Sequence, residues 1–300
     1  MRRRGLTASI DGQIEPSLER KRAVLLVGHG SESIGNSCTS IRTLVDRLRL
    51  HPALGQVEAA FIHGEPSLTA VLGRFSGEIH VCVVPMFAAE GYYTTSAIPA
   101  ALEAAREIRP SFALRQVPAL GSQPAYTASL ASRARQLAVR AGIDPSRTAF
   151  LAIGHGSQRA SGPIDDAAGR LAAAMRRDFA ASQALYLDCE PRAASWPMQV
   201  SAPNIVVAPV FFSGARHAGE DVPRLFGLGD RPSTNRDEIT GPWFAEGRSV
   251  WYATMPPVTD CVVDIIASLA RGGGRHGGPG DHARATKSRQ RALVAIGSVA

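Results

Sequence analysis

Paired cysteines, long apolar runs and a leader-like segment are all missing from this sequence. Its four cysteines are scattered, with no Cys-x-x-Cys pair, which disfavours zinc or iron–sulfur ligation and favours free thiols in a reducing compartment. No apolar run reaches the roughly 18–20 residues that a membrane helix needs. The basic start, Met-Arg-Arg-Arg, is not followed by the apolar stretch of a signal peptide. These absences predict a cytoplasmic protein that does not enter a membrane.

Aromatic residues are also few, at 6%, and no groove-reading motif occurs. The net charge of +7 therefore does not predict nucleic-acid binding, and much of it lies at the two ends of the chain. Four side chains beside the motifs described below are better placed to bind a polyanionic small molecule, although the arginines could equally be ordinary surface residues. These candidates are Arg159, Arg192, Arg216 and Ser157.

The most informative feature that is present is an internal duplication. An apolar run ends in Gly-His-Gly-Ser at His29 and again at His155. Three further landmarks follow in the same order in both copies: Glu65-Pro66 and Glu190-Pro191, Pro85-x-Phe87 and Pro209-x-Phe211, and Pro99 and Pro223. The offset between copies is 126 residues at the histidines, 125 at Glu-Pro and 124 at Pro-x-Phe. A repeat of this length indicates one duplicated domain rather than a solenoid of small units.

Each copy alternates strand and helix patterns. Continuous apolar runs predict parallel strands buried on both faces, and amphipathic or alanine-rich segments predict helices between them. In the first copy the predicted strands are residues 24–27, 57–62, 79–84 and 114–117, and the predicted helices are 41–48, 97–108 and 125–140. The pattern predicts an α/β fold of two tandem homologous three-layer lobes, each a mostly parallel four-stranded sheet flanked by helices.

The predicted domain boundaries follow changes in composition. Each lobe is long enough to bury its own core. An insertion in the second copy, around residues 227–247, is rich in Gly, Asp, Pro and Asn and is predicted to be a surface loop beside the site. We predict a basic flexible arm at 1–21, a first lobe at 22–142, a second lobe at 148–271 and a flexible tail at 272–300.

Candidate site residues follow the strands of the second copy. His155, Asp188 and His217 come after its first, second and third strands, and the carboxyl ends of parallel strands share one edge. Two imidazoles and a carboxylate at one edge suit a divalent transition metal held with open positions, or proton transfer near neutral pH. Each also has a structural interpretation: His155 could bond a loop, and Asp188 could end a strand. Two acids after His217, Glu220 and Asp221, could simply cap a helix.

The first copy is not equivalent to the second. It offers His29, His63 and Tyr93, in which the tyrosine stands where the second copy has His217. A phenol with a pKa of about 10 is a poor ligand and proton acceptor at neutral pH. We therefore expect the second lobe to hold the reactive site and the first lobe, with a degenerate secondary site, to shape the cleft.

As an ensemble, these motifs resemble those of the sirohydrochlorin chelatase family, the CbiX/SirB-like class II chelatases, in their two-lobed long form. The resemblance covers about residues 23–270. It rests on Gly-His-Gly-Ser, on the acid before Glu-Pro, and on Pro-x-Phe followed by Gly, His217 and Asp221-Val-Pro. The family usually has glutamate where Asp188 stands, and Tyr93 is a second departure.

The resemblance implies a chelatase-like lyase that inserts Co²⁺ or Fe²⁺ into sirohydrochlorin, an anionic tetrapyrrole, without ATP. The product would serve cobalamin or sirohaem synthesis. It also implies a histidine pair at His155 and His217, assisted by an acid at Asp188, and no permanently bound cofactor. The metal would be a substrate, with Ni²⁺ a further candidate by affinity order. The chemistry is consistent, because neutral imidazoles bind the ion and accept the pyrrole protons.

Other functions are weaker interpretations of the same motifs. A non-catalytic paralogue that binds a tetrapyrrole or a metal remains the main alternative. A phosphoryl-transfer enzyme of the histidine-phosphatase type would need arginine before the histidine, where Gly28 and Gly154 stand. A dinucleotide site is excluded because neither Gly-x-Gly continues to a third glycine at the required spacing.

Overall fold

The structure, a computed structural model, describes residues 22–30, 38–75, 80–108, 113–157, 165–212, 217–229, 239–255 and 258–272. The strands are β1 (Arg22–Gly30), β2 (Leu54–His63), β3 (His80–Pro85), β4 (Ala113–Gln116), β5 (Thr148–Gly154), β6 (Ala181–Tyr186), β7 (Asn204–Pro209), β8 (Ile239–Ala245) and β9 (Arg248–Ala253). The helices are α1 (Thr39–Arg49), α2 (Leu68–Leu72), α3 (Ile98–Ile108), α4 (Pro124–Arg140), α5 (Ala167–Met175), α6 (Trp196–Gln199), α7 (Val222–Leu225) and α8 (Asp260–Arg271).

The chain divides into one compact unit, Met1–Ala270, and a second, Arg271–Ala300. Both sheets lie in the first unit. Of the second unit, only residues 271 and 272 are described. The predicted arm at 1–21 lies outside the described residues, as does the predicted tail beyond residue 272.

Two α/β sheets follow one another along the chain, as predicted. The first has the order β2-β1-β3-β4, and all of its strands are parallel. The second has the order β6-β5-β7-β9-β8, in which β8 alone runs antiparallel to its neighbour. The fold class is confirmed. The second sheet, however, has five strands where four were expected.

The fifth strand comes from the segment that was predicted to be a surface loop. Residues 239–245 pair with β9, and 230–238 lie outside the described part of the chain. Glu246 and Gly247, with φ values of 50° and 70°, form the two-residue turn that antiparallel hairpins prefer. On the sheet side, Trp243 and Ala245 pack against a hydrophobic cluster. The apolar contacts of Trp243 and Ala245 stabilise the strand although the segment as a whole is polar in composition.

The strands that carry the two Gly-His-Gly motifs are the most buried in the molecule. Residues 23–27 of β1 and 149–153 of β5 are 0% exposed. Each strand has neighbours on both sides and helices over both faces, which is why its sequence is continuously apolar rather than alternating. The polar motif begins where each strand emerges from the core.

The hydrophobic core is shared between the lobes. One cluster joins the inner faces of both sheets, and it includes Leu26 and Ile41 from the first lobe and Phe150 and Ile266 from the second. Separate outer clusters lie on the other face of each sheet. The lobes therefore do not bury two independent cores, because helices α1, α4, α5 and α8 all contribute to the same inner layer.

Contacts across this inner layer tie the two strand-end regions together. Tyr126 of α4 packs on Phe212, with ring centroids 5.2 Å apart. The backbone N–H of Ala167, at the start of α5, donates to the carbonyl of Ala88, 2.9 Å away. Ala88 lies three residues after the end of β3, so the segment that leaves the first sheet meets the start of α5 at this hydrogen bond.

Candidate functional site

The second lobe brings two histidines face to edge at the carboxyl end of its sheet. His155 follows β5, and His217 begins a π-helical turn, His217–Asp221, that leads into α7. Their ring centroids are 5.2 Å apart and the ring planes are at 85°. The side chains are 54% and 34% exposed. Two accessible imidazoles at this spacing can bind one small ligand between them.

A carboxylate lies behind each imidazole. The Nδ1–H of His217 donates to Oδ2 of Asp221 at 2.7 Å, and Oδ2 of Asp188 lies 3.3 Å from Nδ1 of His155. The hydrogen bond to Asp221 keeps the proton of His217 on Nδ1 and leaves the lone pair on Nε2. The contact between Asp188 and His155 is within ion-pair distance but is not a hydrogen bond. Neither Nε2 atom has a hydrogen-bond partner among the described residues.

Asp221 does not have the helix-capping role that the sequence suggested. It occupies the position before α7, but its side chain makes no capping hydrogen bond. The side chain instead turns back over one turn to His217. The four-residue spacing between His217 and Asp221 was the signal in the sequence for this contact. It was overlooked because an acid at the start of a helix is so commonly a cap.

Asp188 contacts His155 at Nδ1, on the side of the ring away from Nε2. It does not lie beside the two imidazoles as a third ligand. Within the described ranges, no group of three or more His, Cys, Asp or Glu side chains is arranged to hold a metal ion. The ring nitrogens of the pair that do not face a carboxylate are the Nε2 atoms of His155 and His217.

The glycine after each histidine lets a neighbouring loop cross close to the motif. Gly156 has φ +79°, and a Cβ there would lie 2.5 Å from Sγ of Cys189. Gly30 has φ +77°, and a Cβ there would lie 1.7 Å from the carbonyl oxygen of His63. Any other residue would push away the loop that carries Asp188 or His63, respectively. The Gly-His-Gly motif thus brings the second site residue of each lobe close to the first.

The first lobe gathers its own cluster of rings. His29 and His63 are 4.9 Å apart between centroids, and Tyr93 packs edge-on against His29 at 5.1 Å. The Tyr93 hydroxyl lies 3.1 Å from Nε2 of His63, and Phe87 stacks on Tyr93. Nδ1 of His29 lies 2.9 Å from the backbone carbonyl oxygen of Gly30, the next residue.

The two clusters differ in charge. Four residues after His217 stands Asp221, whereas Ala97 stands four residues after Tyr93. The second acid, Asp188, is replaced in the first lobe by His63. At the matching positions, the imidazoles of the first lobe therefore have neither of the two carboxylates that accompany the imidazoles of the second.

The predicted anion-binding residues are only partly described. Arg159 and Arg216 lie outside the described residues. Ser157 is exposed directly after Gly156. Arg192 is half-exposed, and it donates to the carbonyl of Leu187 at 3.2 Å, with a carboxylate oxygen of Glu190 at 3.6 Å. It is thus engaged by its own loop.

Asp166 is a buried acid that sequence reasoning missed. It is 4% exposed. Its Oδ1 accepts hydrogen bonds from the backbone N–H of Gly169 at 2.8 Å and from the hydroxyl of Tyr186 at 3.2 Å. Its Oδ2 lies 3.1 Å from where a Cβ on Gly154 would be, next to the strand end that carries His155. In the first lobe, Ile41 and Phe61 fill the corresponding space at Gly28.

Burial raises the pKa of the Asp166 carboxyl, although hydrogen bonds, first that from Gly169, lower it. A carboxyl with a raised folded-state pKa stabilises the fold below its unfolded pKa, and this contribution is lost as the pH rises through the folded-state value. Asp166→Asn removes the charge and keeps an oxygen acceptor. We expect its free energy of unfolding, relative to wild type, to increase from about pH 4 to about pH 7. Urea denaturation measures this, and a pH-independent difference would contradict it.

No helix in the described part of the chain is long and apolar enough to cross a membrane.

The chain is similar to known proteins over most of its length. The CbiX family model matches residues 23–137 and again 149–253. The probable sirohydrochlorin cobaltochelatase of Halobacterium salinarum is 25% identical in an alignment 280 residues long, which covers 84% of this chain and 92% of that protein.

Two solved structures share the fold. DR2241 from Deinococcus radiodurans, a multi-domain protein with structural similarity to chelatases, has a TM-score of 0.62 and 22% identity; the match covers 90% of this chain but 60% of that one. CbiX, the terminal enzyme of sirohaem biosynthesis in denitrifying bacteria, has a TM-score of 0.58 and 22% identity over 85% of this chain and 100% of that one. Because the family model matches most of the chain, and matches it twice, this protein belongs to the CbiX family.

Proposed function

We propose that this protein inserts a divalent metal ion, Co²⁺ or Fe²⁺, into sirohydrochlorin without ATP, and that the second lobe performs the reaction. The observation that carries the proposal is the accessible pair His155 and His217. Their ring centroids are 5.2 Å apart, and a carboxylate lies near Nδ1 of each ring. Family membership and the relative that is named a cobaltochelatase support the substrate and the reaction.

Metal delivery would use the two Nε2 lone pairs. Two neutral imidazoles bind a divalent first-row ion and leave its other positions to water or to the incoming macrocycle. A site with only two protein ligands holds the ion weakly enough to release it, which transfer requires. The exposure of both rings gives a macrocycle access to the metal.

Proton removal would use the same two rings. Sirohydrochlorin loses two pyrrole N–H protons as the metal enters, and each imidazole that has released the metal can accept one of them. The imidazolium that forms is stabilised by the carboxylate at its Nδ1, Asp188 for His155 and Asp221 for His217. We therefore assign both acids as positioning residues and not as metal ligands.

Metal identity would follow from supply. Imidazole ligands bind Co²⁺ more tightly than Fe²⁺, and Ni²⁺ more tightly than either. The relatives are consistent with either cobalt or iron, since one is named a cobaltochelatase and another is a terminal enzyme of sirohaem biosynthesis. The affinity order favours cobalt over iron, but a pair of imidazoles does not exclude either ion, so the supply of metal would decide.

The first lobe, residues 22–142, would have a structural role beside the reactive second lobe, residues 148–271. In its ring cluster Tyr93 stands in place of the second histidine of the pair, and the Tyr93 hydroxyl is hydrogen-bonded to His63. We propose that this cluster shapes one wall of the cleft.

A Co²⁺ titration followed by visible absorbance tests the metal-binding pair. We expect His155→Ala/His217→Ala to weaken Co²⁺ binding by more than the roughly 10–100-fold that loss of an outer-sphere partner costs. The matched control is His29→Ala/His63→Ala, which removes two histidines from the other lobe and is expected to leave the tighter binding in place. Unchanged affinity in the second-lobe variant would refute the assignment.

A further inference from the structure

A pocket of about 410 Å³ lies between α1 and the edge strand β2 of the first lobe. A pocket of this size is within the range that small organic ligands occupy. None of the histidine-cluster residues is part of its lining. Its apolar wall consists of Val45, Ala59, Phe61 and Pro66, and its charged residues are Arg42, Asp46, Arg49, Glu58 and Arg74.

One arginine of the pocket is neutralised within it. Nη1 of Arg49 lies 3.4 Å from Asp46, its Nη2 lies 3.5 Å from Glu58, and its Nε donates to the carbonyl of Val57. Both acids of the lining are therefore engaged by this one cation. The three arginines and two acids of the lining leave a formal net charge of +1, and neither Arg42 nor Arg74 forms an ion pair among the described residues.

Arg42 is held in place without being neutralised. Its Nη2 donates to the backbone carbonyl of Glu65 at 3.0 Å, and its guanidinium lies 5.7 Å from the ring centroid of Phe61, which is 1% exposed. In the described ranges, its Nε and Nη1 have no hydrogen-bond or ion-pair partner. A guanidinium fixed in advance loses little freedom when it binds an anion.

Arg74 completes the pair. It follows α2 and is exposed, and its side chain has neither a hydrogen-bond nor an ion-pair partner among the residues that the structure describes. Two guanidinium groups that line one pocket, with no acid left to pair with either, favour a ligand that carries an oxyanion.

The duplicated lobe shows that the fold does not require Arg42. Ile41 occupies the space at Gly28 that Ala168 occupies at Gly154, so Arg42 corresponds to Gly169. The second copy thus keeps the same helix-on-strand packing without this cation.

We propose that this pocket binds a small organic anion, with its carboxylate or phosphate group held by Arg42 and Arg74 and its carbon body against Val45, Ala59 and Pro66. Phe61 links the pocket to the first-lobe rings, because its ring also lies 3.2 Å from where a Cβ on Gly28 would be, next to His29. The proposal stands independently of the reaction assigned to the second lobe.

Isothermal titration calorimetry of the full chain with two probes, inorganic phosphate and tricarballylate, tests this. We expect at least one probe to bind, and Arg42→Gln and Arg74→Gln each to weaken it by about tenfold or more. Tighter binding of tricarballylate would identify a carboxylate ligand, and tighter binding of phosphate a phosphorylated one. The matched control is Arg177→Gln, an exposed arginine outside the pocket, which is expected to change nothing.

Two results would overturn the proposal: no binding of either probe to the wild type, or binding that Arg74→Gln leaves unchanged. The side chain of Arg74 is exposed and without a partner in the described ranges, so its replacement does not endanger the fold. The test therefore holds even if Arg42→Gln loosens the loop at Glu65.

Discussion

His217→Ala is expected to lower the rate of metal insertion into sirohydrochlorin by at least about a hundredfold. The substitution removes one of two metal-facing nitrogens and one of two proton acceptors from a site that has no third imidazole beside it in the described residues. The ring is 34% exposed, so its loss costs little packing. Initial rates of the absorbance change on metallation measure the effect.

The matched control for His217→Ala is His63→Ala. Both side chains lie at the carboxyl edge of a sheet and both touch an aromatic ring, Phe211 for His217 and Tyr93 for His63. Only the first belongs to the pair that is backed by carboxylates. His63→Ala is expected to keep most of the activity, and equal losses from the two substitutions would contradict the assignment of the reaction to the second lobe.

Asp221→Asn is expected to lower kcat by about 10–100-fold, with little change in the KM for sirohydrochlorin. The amide keeps a hydrogen-bond acceptor 2.7 Å from His217 but lacks the charge that stabilises the imidazolium after proton transfer. The thermal unfolding temperature should be unaffected, because the Asp221 side chain makes no helix-capping bond. Steady-state kinetics and a thermal melt of the same preparation measure the two effects.

Two further variants distinguish a positioning role from a structural one. Asp221→Glu keeps the carboxylate and should retain more activity than Asp221→Asn. Glu220→Gln makes the same change of charge one residue earlier and should leave kcat unchanged. Loss of stability in Asp221→Asn that parallels its loss of activity would show that Asp221 only supports the turn.

The strand-end histidines were predictable because two physical signals coincide there. A strand buried on both faces must be apolar throughout, so the change from residues 149–153 to Gly-His-Gly marks the strand end sharply. The duplication repeats Gly-His-Gly at both strand ends, which marks the histidines as residues that strand packing alone does not require. These two signals predicted two mostly parallel sheets, one containing β1 and one containing β5. They also predicted that His155, Asp188 and His217 lie at one edge of the second sheet.

The residues that were missed depend on contacts between segments distant in sequence or on competing local roles. Asp166 has the sequence context of an ordinary helix cap, and only its burial beside Gly154 and Tyr186 distinguishes it. Strand β8 lies in a segment rich in Gly, Asp, Pro and Asn and itself contains Gly241 and Pro242, and pairing with β9 decides its structure. The shared core was not visible either, because the apolar faces of both lobes look the same whether they pack on their own sheet or on each other.

Anaerobic absorbance spectroscopy of sirohydrochlorin with Co²⁺ or Fe²⁺ tests the central claim most directly. The wild type is compared with His155→Ala/His217→Ala and with His29→Ala/His63→Ala under the same conditions. The account predicts that the wild type and the first-lobe variant accelerate metallation, while the second-lobe variant proceeds at the uncatalysed rate. Metallation at the uncatalysed rate in the presence of the wild type, with the pigment bound, would contradict it and indicate a tetrapyrrole-binding protein built on a chelatase fold.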